Sequence, residues 1–266
     1  METNKKDEIA YHVAGAAALE EYLKQKAQNH NNYKFYSSLE SILKIRNEKT
    51  LCLSNGEIWN DKTDREGFNS EKYDTINFGK CFSYSRDENV AMWMLYGGIN
   101  QESGMIDFTK KGMSSLLCTP QIDIGYIADK KFNKIKSLER DSFKLYCIDI
   151  IYYKKHASGY YIRRSEECCT IVSNEVFDEL IACKKAYPWK YENECRLICS
   201  IKRDLVESGC SVVRIDLSHM NLGKSFDRIY HGPNCISADS KETLPSNLDN
   251  SIDWSLCKDC NNKKEK

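Results

Sequence analysis

The chain has 266 residues, enough for one large domain or for one domain with an appendage. Its 39 Lys and Arg balance its 39 Asp and Glu, so net charge predicts no attraction to nucleic acid or to a membrane surface. The 13 cysteines show no spacing of a secreted disulfide scaffold, and there is no apolar leader or membrane-length apolar run. We therefore expect a cytoplasmic protein with mostly free thiols and no membrane partner.

The N-terminal region predicts one helix. From Asp7 to Gln28 apolar residues recur at helical spacing without proline, and the polar run His30-Asn31-Asn32 ends the pattern. We expect residues 1–32 to form an accessory helix that packs on the main domain or contacts a partner.

Short strands and helices follow without regular alternation. Helices are predicted at Leu39–Arg46 (capped by Ser37 or Ser38), Arg86–Tyr96 and Ser173–Lys184. Strands are predicted at Tyr33–Tyr36, Leu51–Leu53, Lys80–Ser85, Met105–Phe108, Leu145–Tyr153, Glu192–Ile201, Ser211–Leu217 and Arg228–His231. Because strands outnumber helices, the predicted class is α+β, a mixed and mainly antiparallel sheet with flanking helices. Residues 33–256 would form the main domain and 257–266 a charged tail.

A late Glu-x-Glu-x-Arg run carries the strongest chemical signal. It opens the predicted strand Glu192–Ile201, in which side chains two apart share a face, so Glu192, Glu194 and Arg196 should project together. Two adjacent carboxylates raise the pKa of one of them, or hold a polyol or a developing cation. The alternative is a solvated edge face on which Arg196 neutralises one glutamate, because exposed ion pairs are common and weak.

Several short motifs stand in a set order along the chain. They are Tyr33-Lys34-Phe35, Leu53-Ser54, Trp59-Asn60-Asp61, Cys81-Phe82-Ser83, Met92-Trp93 with Tyr96, Gly104, Trp189-x-Tyr191-Glu192-x-Glu194-x-Arg196 and Gly232-Pro233. Their order, over about Tyr33 to Ser255, resembles a large bacterial family known as domain of unknown function 2971. One departure is that Lys62-Thr63-Asp64 stands where that family has Pro-Phe-Glu.

The layout is also similar to that of ADP-ribosyltransferases, which cleave NAD and transfer its ADP-ribose. This resemblance implies a catalytic Glu194 on a late strand, with Glu192 two residues ahead. Breaking the nicotinamide–ribose bond builds oxocarbenium-like charge, which a fixed carboxylate stabilises.

The resemblance further implies a basic residue on the first strand, to hold pyrophosphate or ribose, and hydroxyl or aromatic groups that orient nicotinamide. A lysine stands here where His or Arg is usual. The implied NAD-binding residues are Lys34, Ser83, Tyr84, Ser85, Trp93 and Tyr96.

Each of these positions also has a plainer interpretation. Lys34 can be the solvent-facing member of its strand, and Ser83 and Ser85 ordinary strand residues. Trp93 and Tyr96, three apart on a helix, can be core packing.

Other chemistries fit the sequence less well. There is no nucleophile elbow, phosphate loop or dinucleotide fingerprint. Asp149 followed by Lys154 and Lys155 lacks the partner acid of a metal nuclease. Zinc is not expected either, because the Cys257-x-x-Cys260 pair has only an irregularly spaced second half, His231-x-x-x-Cys235.

Two functional hypotheses remain open. In the first, the protein is an NAD-consuming toxin or phage-defence effector that modifies a protein or nucleic acid and is restrained by a protein partner or antitoxin. In the second, it is a non-catalytic sensor or partner-binding module of a bacterial defence or stress system.

Overall fold

A computed structural model of the chain shows a mixed α+β protein with mostly antiparallel strands, which confirms the predicted fold class. The structure describes residues 5–57, 59, 61, 64–65, 68–69, 73–96, 102–156, 159–163, 169–180, 182–220, 226–232 and 252–254. Two compact units are present. The first comprises Met1–Asn29, Cys52–Cys81 and Ile122–Val213, and the second His30–Leu51, Phe82–Gln121 and Arg214–Lys266.

The described helices are short apart from the first one, which is kinked at Gly15, where φ is 65°. They are α1 (Lys5–Ala27), α2 (Leu39–Glu48), α3 (Val90–Tyr96), α4 (Lys110–Leu117) and α5 (Asn174–Glu179). Three 3-10 helices lie at Arg140–Ser142, Tyr187–Glu192 and Arg203–Leu205. Among the described residues, no helix has both the length and the apolar character that crossing a membrane requires.

The strands are numbered in chain order. They are β1 (Asn32–Ser38), β2 (Thr50–Ser54), β3 (Thr75–Ser83), β4 (Ser103–Thr109), β5 (Gln121–Ala128), β6 (Lys131–Glu139), β7 (Phe143–Asp149), β8 (Ile151–His156), β9 (Gly159–Arg163), β10 (Cys169–Val172), β11 (Lys184–Ala186), β12 (Glu194–Lys202), β13 (Val212–Asp216), β14 (Phe226–His231) and β15 (Ile252–Trp254).

In the first unit, strand β12 carries Glu194 and Arg196. It pairs antiparallel with β7 from Cys195 opposite Asp149 to Ile201 opposite Phe143. Cys195 to Cys199 are all buried, so this strand is covered on both faces. A four-stranded sheet of order β10-β9-β8-β11 lies in the same unit, with β8 and β11 parallel.

Helix α1 belongs to the core of the first unit. Ala16, Leu19 and Leu23 are at most 5% exposed and join a cluster of buried residues from other elements. Near its end, Lys26 lies 3.5 Å from the buried Asp149 carboxylate. The second half of this helix therefore packs on the rest of the first unit, with its apolar side chains in the core of that unit.

Removing the buried contact of helix α1 should destabilise the protein. We expect Leu23→Ala to lower the free energy of unfolding by about 2 to 5 kcal/mol, since it leaves a cavity under the helix. The exposed Gln25→Ala on the same helix is the control, with an expected change of at most about 0.5 kcal/mol. Urea unfolding of both variants measures this, and equal values for the two would contradict a core role.

In the second unit, strand β1 carries Lys34. It pairs with β4 over its whole length, from Asn32 opposite Thr109 to Ser38 opposite Ser103, and with β3 at Lys34 opposite Ser83. Ser38 caps helix α2, as predicted, by accepting a hydrogen bond from the Ser41 N–H.

Several predicted elements need correction. Residues predicted as one strand, Leu145–Tyr153, form parts of β7 and β8 with Ile150 between them, and the first part of the helix predicted at Arg86–Tyr96 is irregular. The predicted helix Ser173–Lys184 ends at Glu179. Helix α4 and the strands β5, β6, β9, β10, β11 and β15 were not predicted from the sequence.

Candidate functional site

The two glutamates of the Glu-x-Glu run do not share a strand. Pro188 lies in the first turn of the 3-10 helix Tyr187–Glu192, where its fixed φ and missing N–H are tolerated. Asn193 ends that helix with a left-handed φ of 43°, and β12 begins only at Glu194. The strand predicted from Glu192 onward is therefore wrong in its first two residues.

The carboxylates nevertheless meet at one cation. Lys185 on β11 donates from Nζ to Glu192 Oε2 at 2.6 Å and to Glu194 Oε2 at 3.0 Å. The two glutamates are only 1% and 2% exposed, and Lys185 is 7% exposed. The solvated edge face considered from the sequence is thus excluded, because these groups are taken out of water.

Arg196, two residues after Glu194 on the same face of β12, completes the arrangement. Its Nε donates to Glu194 Oε1 at 2.6 Å, and its two terminal nitrogens donate to the two oxygens of Asp64. A third contact runs to the Ala182 carbonyl at 2.9 Å, and the guanidinium lies over the Trp59 ring at 4.8 Å. The pairing of two guanidinium nitrogens with the two Asp64 oxygens is the geometry in which arginine binds carboxylates most strongly.

We call Asp64, Lys185, Glu192, Glu194 and Arg196 the buried ion cluster. Three acids face two bases, so full ionisation would leave one uncompensated negative charge in a buried place. A proton on Glu192 removes that excess, and burying a net charge is costly.

The surroundings shift the pKa values of the two glutamates in opposite directions. Burial, with the neighbouring Glu194 charge, raises the pKa of Glu192 to about 7. Burial acts in the same direction on Glu194, but Arg196 and Lys185 outweigh it and lower the pKa of Glu194 below its usual range. A protonated Glu192 then donates a hydrogen bond to the Glu194 carboxylate.

We expect the free energy of unfolding to fall as the pH rises from about 5 to about 8, because Glu192 loses its proton at a higher pH in the folded protein than in the unfolded chain. In the unfolded chain the side chain loses its proton near the ordinary glutamate pKa of 4.5, whereas in the folded protein it keeps the proton up to a pKa of about 7. In that window the folded state binds more protons, so the unfolding free energy decreases with rising pH, by on the order of 2 kcal/mol.

Urea unfolding across this pH range tests the expectation. Glu192→Gln should flatten the pH dependence relative to wild type, and the exposed Glu207→Gln should not. Indistinguishable slopes for wild type and Glu192→Gln would mean that Glu192 is ionised in the folded protein throughout.

Three members of the site escaped the sequence analysis. Lys185 lies in a three-residue strand whose middle residue alone is buried, and only that alternation could have marked it. Asp64 is 132 residues from its partner Arg196, and its turn is held by its N–H donating to Asp61 Oδ1 at 3.3 Å. Trp59 was singled out only as a motif residue, with no link to Arg196.

Lys34, in the second unit, is an anchor for the chain that follows β3. The side chain is 4% exposed and not solvent-facing, and Nζ donates to the carbonyls of Ser85 at 2.5 Å and Arg86 at 2.9 Å. Burial lowers the pKa of Lys34, although Asp107 opposes this. Ser83, fully buried, donates from Oγ to Ser85 Oγ at 3.2 Å.

The aromatic candidates of the second unit pack against other rings. Tyr84 stacks on His30 with centroids 4.0 Å apart. Trp93 is 1% exposed, meets Tyr36 edge-on at 4.9 Å and, with the half-buried Tyr96, belongs to a small core cluster. Trp93 and Tyr96 therefore take part in core packing, the plainer of the two interpretations of their spacing.

Within the described ranges, no group of three or more His, Cys, Asp or Glu residues could hold a metal ion. The cysteines weighed for zinc, Cys235, Cys257 and Cys260, lie outside the described residues, as do Asn60 and Pro233 of the family motifs.

Comparison of the chain with protein-family models, with curated proteins and with solved structures finds no match. The resemblance to domain of unknown function 2971 and the similarity to ADP-ribosyltransferases stay predictions.

Proposed function

We propose that this protein is an NAD-consuming transferase of the ADP-ribosyltransferase type, a toxin or phage-defence effector that modifies a protein or nucleic acid. The observation that carries the proposal is the pair of buried carboxyl groups, Glu192 and Glu194, held at one Lys185 ammonium, with their pKa values shifted in opposite directions. Carboxyl groups whose pKa values are pushed apart are typical of sites that divide acid–base work between two acids.

The opposite pKa shifts of Glu194 and Glu192 suit the two steps of the reaction, nicotinamide departure and attack by the acceptor. Glu194, ionised at neutral pH, would stabilise the positive charge that develops on the ribose as nicotinamide leaves. Glu192, whose pKa of about 7 leaves about half of the molecules ionised at this residue at neutral pH, would in that ionised form take a proton from the attacking acceptor. Lys185 now lies between the two carboxylates, so the ribose would have to displace its ammonium from Glu194.

The element order gives further support. A short helix, α2, follows β1 with its Lys34, and Glu194 lies on a late strand, as the resemblance implies. We assign no NAD contact to Lys34, however, because its ammonium already donates to two backbone carbonyls.

Incubation with NAD and cell extract tests the proposal. We expect released nicotinamide together with labelled ADP-ribose incorporated into a macromolecule. Heat-denatured protein is the blank, and a folded wild type that releases no nicotinamide above this blank would refute the transferase.

A second candidate is the non-catalytic partner-binding module. It is favoured by the burial of the ion cluster, in which both Glu194 oxygens are bonded to cations. In that case Glu192 and Glu194 hold the fold, and their replacement alters stability or partner affinity but nothing that happens to NAD.

A further inference from the structure

A surface of the first unit combines lysines and aromatic rings next to the buried ion cluster. It consists of Lys154, Tyr187, Lys190 and Tyr191, and we call it the basic–aromatic surface. Lys155, the next residue of β8, belongs to the opposite face of that strand. Strands β8 and β11 run parallel with Tyr153 opposite Ala186, so Lys154 and Tyr187 follow side by side. The Lys154 ammonium lies 4.1 Å from the centre of the Tyr187 ring, and the Lys190 ammonium lies 5.8 Å from it.

The lysines of this surface have no carboxylate partner among the described residues. Within the part of the chain that the structure describes, no ion pair joins Lys154 or Lys190 to a carboxylate, although Lys24, Lys26, Lys134 and Lys185 elsewhere in the unit are paired. Lys154 is exposed. Charge is screened over about 8 Å at physiological salt, so such a patch attracts anions even on a protein of zero net charge.

The aromatic side chains indicate which class of anionic ligand this surface would bind. Tyr191 is 37% exposed, and its ring centroid lies 6.2 Å from that of Trp189. Lysines beside accessible rings suit a strand that carries phosphates and unpaired bases, since bases stack on aromatic rings. A duplex hides its bases, and an acidic peptide has none.

We propose that the basic–aromatic surface binds single-stranded nucleic acid, with Lys154 and Lys190 at phosphates and Tyr191 stacked on a base. Tyr191 immediately precedes Glu192 in the 3-10 helix, and the Lys185 ammonium lies 4.8 Å from the centre of the Trp189 ring, so the surface adjoins the carboxylate pair. The bound strand would be the acceptor of ADP-ribose, and only this acceptor role rests on the proposed function.

Fluorescence anisotropy with a labelled mixed-sequence DNA single strand of about 12 nucleotides, without NAD, tests the binding. We expect wild type to bind with a Kd of about 1 to 100 μM near 0.1 M salt. Lys154→Glu combined with Lys190→Glu should weaken binding by about tenfold or more and reduce the slope of log K against log salt by about 1 to 2. Tyr191→Ala should weaken it by about fivefold or more, and Tyr191→Phe should not.

The matched control reverses two exposed lysines on β6, Lys131→Glu with Lys136→Glu, which should change the affinity by less than about twofold. Thermal melts establish that every variant is folded. An equal loss in both double variants, equal affinity for a duplex or for polyglutamate, or no binding by wild type would overturn the proposal.

These outcomes are separable from those of the proposed function. Binding without nicotinamide release would retire the transferase and keep the nucleic-acid surface. Nicotinamide release without binding would do the reverse.

Discussion

Replacing Arg196 by methionine should lower the free energy of unfolding by about 3 to 5 kcal/mol. The guanidinium is fully buried and binds two carboxylates, Asp64 and Glu194, as well as a backbone carbonyl. Methionine keeps much of the volume but leaves two buried anions without this partner, and uncompensated buried charge is among the costliest defects in a protein. Urea unfolding near neutral pH measures the loss, and the exposed Lys131→Met is the control, with an expected change within about 0.5 kcal/mol.

A double-mutant cycle shows whether the cost comes from the orphaned anions. In an Asp64→Asn background, Arg196→Met should cost about 1 to 3 kcal/mol less than in wild type, because one of the two stranded charges is already gone. Simple additivity of the two changes would mean that the loss reflects packing around Trp59 and not the ion pairs.

Glu194→Gln should reduce nicotinamide release by about a hundredfold or more, as removal of a transition-state charge partner does. Glutamine keeps the volume and the hydrogen-bonding capacity but cannot stabilise a developing positive charge. Glu192→Gln should leave NAD cleavage largely intact and mainly slow transfer to the acceptor, since its proposed role is to accept the acceptor's proton.

Stability has to be separated from chemistry in this comparison, because Glu194 also binds two buried cations. Assays are therefore run well below the melting temperature of each variant, with the exposed Glu207→Gln as the matched carboxylate control. Wild-type turnover that survives Glu194→Gln undiminished would remove this residue from the mechanism. If none of the three variants nor wild type releases nicotinamide, the partner-binding candidate is favoured.

The helix predicted at Ser173–Lys184 illustrates how tertiary contacts override local preference. Its sequence suits a helix, but Leu180, Ala182 and Cys183 are buried in the core of the first unit. Ala182 adopts a positive φ of 58°, which costs an alanine roughly 1 kcal/mol, and its carbonyl accepts a hydrogen bond from Arg196. The helix ends early because a non-helical path places the core side chains, the Ala182 carbonyl and Lys185 in their observed contacts.

Lys34 illustrates the same limit in the second unit. Its place between Tyr33 and Phe35 predicted a strand, and β1 confirms it. Local pattern also favoured a solvent-facing lysine, yet the side chain is buried because Ser85 and Arg86, about 50 residues later, present carbonyls to it. No periodicity in the sequence encodes such a distant partner.

The sequence by itself determined the α+β class, the cap of α2 and the place of the acidic pair, because these follow from neighbouring residues, side-chain alternation and local hydrogen bonds. Only the tertiary structure decided that Glu192 and Glu194 are buried, that Lys185 lies between them and that Asp64 binds Arg196. The pKa of a carboxyl group depends on burial and on the charges within a few ångströms, whatever their distance along the chain. The chemistry of the Glu-x-Glu pair is therefore set by residues that the run itself does not contain.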